Sequence, residues 1–342
     1  MTLRVLSGPP DGRRHGNTYI RELLAALDAA EELDLEVFTW RRALSGQRFD
    51  VIHAHWIEHM LDNTGTGRRA WPKLAALVTV IALAKWRRTA LVWTIHNERP
   101  HERPRLPVRL GLALWTRATD GAIFLTDAAR KTHPVQFPIT GVARLGVSSA
   151  SPTPDFEAPC PRPYILSFGL LRAYKGFDTL VGAALAAGER FDVVIAGPDP
   201  QGDCSSALRA QAGASCRITV DARHVPDDEL STLIRGSVGV VLPYRRMNNS
   251  SALLTALAHG RRALVPDTPP NREIARLVGD GWLTFFDGAL SAADLDAFVA
   301  GADPAGAPDL SAFRWPQVAG DHVALYRAAR ARVRAGRRSP AA

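Results

Sequence analysis

Two polar stretches, each tied to an apolar run, carry the side chains that a diphosphate needs. In residues 164–178 an apolar run ends at Gly169, and Arg172 and Lys175 stand just ahead of a helical pattern. In residues 249–266, Asn249, Ser250 and Ser251 open a short helical run, Gly260 stops it, and an apolar segment follows. A helix start presents unpaired N–H groups and a partial positive charge, so it suits an anion. Two fixed cations and one such helix start would cradle a diphosphate and neutralise charge as it grows on a leaving phosphate. The plainer alternative is a pair of surface cations before one helix and ordinary N-capping of another.

The first half offers groups for acid–base work. His55, Glu58, His96 and Glu98 all follow strand-like segments. A carboxylate or imidazole there needs only modest tuning to take a proton from a hydroxyl. Glu58 and His96 are the two candidates for that base, and a hydrogen-bonded crevice residue is the alternative for each. Loop 8–16 contains Gly8, Gly12 and Gly16 and leads into Asn17. Its spacing is not that of a dinucleotide fingerprint. A glycine loop still lets the backbone approach a sugar or phosphate closely, so Gly16 and Asn17 join the phosphate-side candidates. His53, His55 and His59 lack acidic or Cys partners at a recognised spacing, and no metal site is expected from them.

These residues need elements to position them. Segments 3–6, 35–40, 51–55, 90–96 and 121–125 read as strands, and 18–30 as a helix with Asn17 at its N-cap. The Pro-, Ser- and Ala-rich stretch from Gly141 to Pro163 breaks the rhythm, and the linker is placed at 146–163. Strands resume at 165–168, 191–196, 217–221, 239–242 and 263–265. Helix 227–235 starts with acidic residues that complement its N-terminus. A basic helix, 318–336, closes the pattern and is expected to pack back toward the first domain. The expected fold is α/β: two Rossmann-like domains, 1–145 and 164–317, facing a central cleft. Ligands in such sheets gather where strand carboxyl ends meet a crevice.

The chain of 342 residues suffices for two cores. Its net charge of +8 implies anionic company. Nucleic acid is excluded as the first choice, because there is no zinc finger, no aromatic–basic interleaving and no repeat. A nucleotide sugar or an anionic lipid surface explains the same charge. Cys160, Cys204 and Cys216 are scattered, as reduced thiols in a cytosolic protein would be, and the N-terminus shows no signal-peptide pattern. Residues 73–88 have an apolar centre too short for a bilayer that needs ~20 residues. Their basic and Trp flanks suit an interfacial helix, with a buried first-domain helix as the alternative.

Taken in order, several motifs resemble the nucleotide-sugar glycosyltransferases of the GT-B fold. They are Ser-Phe-Gly-Leu-Leu-Arg-Ala-Tyr-Lys-Gly-Phe at 167–177, Val-Ile-Ala-Gly-Pro at 194–198, Val-Pro-Asp-Asp-Glu-Leu at 225–230 and Leu-Thr-Ala-Leu-Ala-His-Gly-Arg at 254–261. His53-Ala-His55-Trp56 and Thr94-Ile-His96-Asn97 in the first half look like the same group. The resemblance covers nearly the whole chain. It implies that Gly169, Arg172 and Lys175 hold the donor diphosphate, with Asn249, Ser250 and Ser251 on the same phosphates. The best-known retaining branch has two glutamates here, and they fall on Thr255 and near Met247 in this chain. Their loss puts the usual retaining site in doubt. The Pro-Tyr-Arg and Asn-Ser-Ser-Ala-Leu-Leu-Thr-Ala-Leu pattern is more similar to bacterial exopolysaccharide mannosyltransferases, some of them inverting and membrane-associated. That resemblance places Tyr244 and Arg245 near the donor.

What it implies is a hexosyltransferase that needs no metal or other cofactor, with GDP-mannose as the first donor. The acceptor would be a glycan or lipid-linked. The enzyme would be cytoplasmic, or peripheral at an anionic inner membrane face. Two other readings stand beside this one. A catalytically degenerate GT-B scaffold or partner subunit is motivated by the missing glutamates. An NAD-type oxidoreductase has the wrong glycine spacing and no clear ribose acid.

Overall fold

The computed structural model describes residues 2–9, 17–62, 70–96, 105–148, 160, 162–245 and 249–336. The chain forms two compact units, Met1–Gly146 with Ser311–Ala342, and Val147–Leu310.

Unit 1 begins β1 (Leu3–Ser7), α1 (Thr18–Asp28), β2 (Leu33–Val37), α2 (Trp40–Ala43), β3 (Val51–Ala54) and α3 (Ile57–Leu61). It continues α4 (Ala70–Arg87), β4 (Ala90–Ile95), α5 (Leu106–Ala118), β5 (Gly121–Phe124), α6 (Asp127–Thr132) and β6 (Ile139–Val142). The strands pair in parallel in the order β2-β1-β3-β4-β5-β6. The central strands β3, β4 and β5 are buried almost throughout, as strands covered by helices on both faces must be. Leu74, Leu77, Val108 and Trp115 of α4 and α5 pack on one face with Leu6 and Ile52. Ile20, Leu23 and Leu27 of α1 pack on the other with Val5 and Val92.

Unit 2 begins β7 (Tyr164–Phe168), a 3-10 turn (Ala173–Lys175), α7 (Phe177–Ala186), β8 (Asp192–Ala196), α8 (Asp203–Ala212), β9 (Ile218–Asp221) and α9 (Asp227–Gly236). It continues β10 (Gly239–Val241), α10 (Ser251–Ala258), β11 (Ala263–Pro266), α11 (Pro269–Val278), β12 (Leu283–Phe286) and α12 (Ala292–Ala300). This sheet too is parallel, in the order β12-β11-β10-β7-β8-β9. Finally α13 (Trp315–Ala335) belongs to unit 1, where it packs on α1, β4, β5 and β6. Its Leu325, Tyr326 and Ala329 are buried in the same core as α1.

Both sheets are α/β and doubly wound, and each has one point where the strand order reverses. In unit 1 that point lies between β1 and β3, and in unit 2 between β7 and β10. The connections there leave in opposite directions, which opens a crevice at the strand carboxyl ends.

Two strands escape the sequence pattern. Gly141 lies inside β6, not at the start of the linker. It is glycine because Leu325 of α13 covers it: a Cβ there would come within 2.8 Å of Leu325 Cδ1. The second is β12, four residues long, with only its first and last residues buried. The last helix starts at Trp315, three residues before the apolar periodicity, because Pro316 suits its first turn.

Candidate functional site

The phosphate-side candidates of unit 2 converge on its reversal point. Gly169 follows β7 with φ +105, a conformation that only glycine adopts without strain. A Cβ there would lie 2.9 Å from Lys175 Nζ, so the missing side chain is also what lets the ammonium lie against the loop. Gly197 packs equally closely: a Cβ on it would stand 2.4 Å from the Gly169 carbonyl oxygen. The loop is pinned by Gly169 N–H donating to the Ala196 carbonyl at 2.9 Å and Leu171 N–H to that of Pro198 at 2.9 Å.

Arg172 precedes the 3-10 turn that carries Lys175. Its guanidinium donates to Gln201 Oε1 at 3.1 Å. The ammonium of Lys175 sits 5.3 Å from the centroid of the Tyr244 ring. Among the described residues no carboxylate lies within ion-pair distance of it. Burial pushes its pKa down to about 8. A half-buried ammonium with no carboxylate beside it is an electrostatic demand for an anion.

From β10, Tyr244 is buried, its hydroxyl pushed up by burial and opposed by the Ser250 hydroxyl beside it. Ser250 is the N-cap of α10, its Oγ accepting from Leu253 N–H at 3.2 Å. The helix start, from exposed Ser251, carries no acidic residue. Its first N–H groups precede the helical ladder, as at any helix N-terminus. Asn249 lies immediately before that cap. Gly169, Lys175, Tyr244 and Ser250 are thus joined pairwise in one place. Arg245 binds the Asp178 carboxylate and donates to the Ala173 carbonyl at 2.7 Å. Its charge is spent on fixing the turn of Lys175 to the loop after β10.

The acid–base candidates of unit 1 also stand at a reversal point. His53, the penultimate residue of β3, lies in a buried hydrogen-bond cluster. Its Nδ1 is 2.7 Å from Tyr326 Oη and 3.1 Å from Ser7 Oγ, and its Nε2 is 2.7 Å from Thr94 Oγ1. One ring therefore ties β1, β3, β4 and α13 together. Just past β3, His55 Nδ1 meets His96 Nε2 at 3.1 Å. His96 stacks on Trp56 with centroids 4.1 Å apart and meets the edge of Tyr19 at 5.7 Å. Burial, and then the nearby His322, hold its pKa down to about 3. Burial alone takes His322 down to about 4, against the pull of the Val318 carbonyl, which accepts from Nδ1 at 2.7 Å. His96 and His322 are therefore neutral at physiological pH. Glu58 lies half-buried in the first turn of α3, two residues past Trp56.

Asn17 caps α1 in unit 1, its Oδ1 accepting from Tyr19 N–H at 3.0 Å. Gly16, Asn97 and Glu98 lie outside the described residues. His59 is exposed, and its ring is 6.1 Å from that of Trp56. No group of three His, Cys, Asp or Glu among the described residues is arranged to hold a metal ion. Sequence reasoning missed Tyr19, His322 and Tyr326. The spacing 315, 322, 326 marks one helical face, but nothing local says which sheet that face meets.

No protein-family model matches the chain. It is 30% identical, over 330 residues, to a GDP-mannose:glycolipid 4-beta-D-mannosyltransferase of Xanthomonas campestris pv. campestris, with 95% of this chain and 92% of that protein covered. A second Xanthomonas campestris pv. campestris protein of the same name is 31% identical over the same length. Among solved structures it is similar to sucrose-phosphate synthase from Thermosynechococcus elongatus, with TM-score 0.71 and 14% identity over 97% of this chain and 100% of that one. Anabaena HepE in complex with UDP-glucose matches with TM-score 0.59 and 14% identity, over 98% of this chain and 99% of that one. At such identities the structures speak for the fold alone.

Proposed function

Because this chain belongs to the GT-B nucleotide-sugar glycosyltransferases, in the family of the GDP-mannose:glycolipid 4-beta-D-mannosyltransferases, we propose that it transfers mannose from GDP-mannose to a glycolipid acceptor with inversion at the anomeric carbon. The observation that carries the donor half is the half-buried Lys175 ammonium between Gly169 and Tyr244, beside the capped start of α10. A degenerate scaffold is not favoured, since curated relatives along 95% of the chain are transferases.

A β-linked product from an α-linked donor requires a single displacement. The acceptor hydroxyl oxygen attacks the anomeric carbon, and the bond from that carbon to the diphosphate oxygen breaks. The electron pair leaves with GDP, and the hydroxyl proton passes to a base. Lys175, Arg172 and the N–H groups at the start of α10 neutralise the leaving diphosphate, the part a metal ion would otherwise play. One base suffices for inversion, which fits a site without paired glutamates.

We assign the base to Glu58. His96, held at about 3, resists taking a proton but serves as a neutral hydrogen-bonding group that orients the acceptor, its ring fixed by His55 and Trp56. Ser250, Ser251 and Asn249 contact the phosphates. The reaction serves exopolysaccharide biosynthesis at the cytoplasmic face of a membrane, where GDP-sugars are made. Association with that face is peripheral in this reading, and among the described residues no helix is long and apolar enough to cross a membrane.

The test is transfer from GDP-mannose to a panel of lipid-linked saccharides, with the anomeric configuration of the product read by NMR. A β-mannoside supports the reading. An α-mannoside, or no turnover with any mannosyl acceptor, overturns it.

A further inference from the structure

The outward face of α4 is largely apolar, with exposed Thr79 and Lys85 at its margins. Its exposed positions include Trp71, Ala75, Val78, Ala82 and Trp86, whose steps of four and three mark one helical face. Trp71 is 56% and Trp86 76% exposed. A surface helix in water normally turns charged residues outward. On α5, Leu106, Leu110 and Leu114 follow one another at steps of four, and the first two are 56% and 41% exposed. The two helices share one layer and one core. Gly111 brings them close, since a Cβ there would stand 2.3 Å from Leu61 Cδ1 and 3.3 Å from Leu77 Cδ2. Their outer faces therefore form one surface, with exposed apolar area on the order of 600 Å². Single exposed leucines are ordinary, but a contiguous patch of this size marks an interaction site.

Charge identifies the partner. Residues 70–96 and 105–119 contain Lys and Arg but no Asp or Glu. Lys85 is engaged by Asp120 at 2.9 Å, and Arg87 donates to the Ser45 carbonyl at 2.8 Å. Arg88, Arg109 and Arg117 are exposed and make no ion pair among the described residues. A second copy docked through this face would set like charges against each other, because a two-fold interface repeats the same patch. An anionic bilayer satisfies both the apolar stripe and the arginines, with Trp at each end of α4 at the depth of the head groups. The topology adds a direction. Both helices begin at the carboxyl edge of the sheet, α4 following α3 and α5 following β4. Trp71 and Leu106 thus lie toward the edge that carries Glu58 and His96.

We propose that the outer face of α4 and α5 docks on a bilayer containing anionic phospholipid and brings the lipid-linked acceptor to the carboxyl edge of unit 1. The delivery step rests on the glycolipid reading above; the docking does not. The test is co-sedimentation of the full chain with vesicles of phosphatidylcholine, with and without phosphatidylglycerol. Vesicles with phosphatidylglycerol should bind the protein and those without it should not. Leu106→Ser with Leu110→Ser should weaken partitioning at least about tenfold. Arg88→Gln, Arg109→Gln and Arg117→Gln should each weaken it about fivefold, with the effect fading as salt rises. The GDP-induced shift in melting temperature should be unchanged in every variant, which separates this surface from the donor site. Equal binding to both vesicles, partitioning indifferent to these substitutions, or a dimer that the Leu→Ser pair dissociates would each overturn the proposal.

Discussion

Lys175 gives the donor site a pH signature that can be worked out in advance. Burial holds its pKa at about 8, so in the free protein the ammonium loses its proton as pH rises past that value. A diphosphate bound beside it favours the charged form and raises the pKa. Binding therefore takes up a proton where the free group is neutral and the bound group charged. GDP affinity should be full below pH 8 and should fall by about tenfold, ~1.4 kcal/mol, between pH 7 and pH 9. Titration calorimetry at pH 9 in buffers of different ionisation heat should show close to one proton taken up per GDP. Two variants isolate the cause. Lys175→Arg keeps a charge that does not titrate in this range and should flatten the profile. Lys175→Ala should lose roughly 2–4 kcal/mol of binding and also flatten it, since a charge pair at ~4 Å with an effective dielectric constant near 20 is worth at most ~4 kcal/mol. A wild-type affinity that stays level from pH 7 to 9, or a Lys175→Ala profile as steep as the wild type, would refute the placement of the diphosphate beside Lys175.

The remaining expectations concern unit 1. Glu58→Gln should leave GDP affinity unchanged and lower kcat by roughly 10²–10⁴-fold; a loss confined to KM would make Glu58 a binding group instead. Tyr326→Phe removes the 2.7 Å bond to His53 inside a buried cluster and should cost about 1–3 kcal/mol in denaturant unfolding. No change there would mean that Ser7 alone satisfies His53. Acid should unfold the protein early. His322 is neutral when folded, with a pKa of about 4, but has an ordinary pKa near 6.5 when unfolded, so the unfolded chain binds more protons as pH falls through that window. This one residue should remove about 2 kcal/mol by pH 5, and His322→Gln should flatten the stability profile between pH 7 and 5. An unchanged slope would show that His322 is protonated in the fold.

Much of this was legible in the chain. Parallel strands buried on both faces announce themselves as apolar runs, and their C-terminal polar residues fall at the reversal points by topology alone. Hence Gly169, Lys175, Ser250 and Asn17 could be placed on loops and caps from local pattern, and the structure puts each there. What stayed hidden depends on distant partners. Gly141 looked like linker because its reason for being glycine, Leu325, lies far along the chain. For His53 no partner could be named from the chain, and its nitrogens are taken by Ser7, Thr94 and Tyr326 from three other elements. The low pKa of His96 needs both the enclosure by Trp56 and Tyr19 and the arrival of α13 with His322, and none of these is a property of the segment that bears it.

The most direct measurement is calorimetric binding of GDP, UDP and ADP to the wild-type protein and to the Arg172→Ala, Lys175→Ala double variant. The cradle at the start of α10, in a chain related to GDP-mannose transferases, should bind GDP selectively in the wild type and lose it in the variant at unchanged melting temperature. Equal affinity for all three nucleotides would contradict the donor assignment, and GDP binding that survives the double substitution would contradict the site itself.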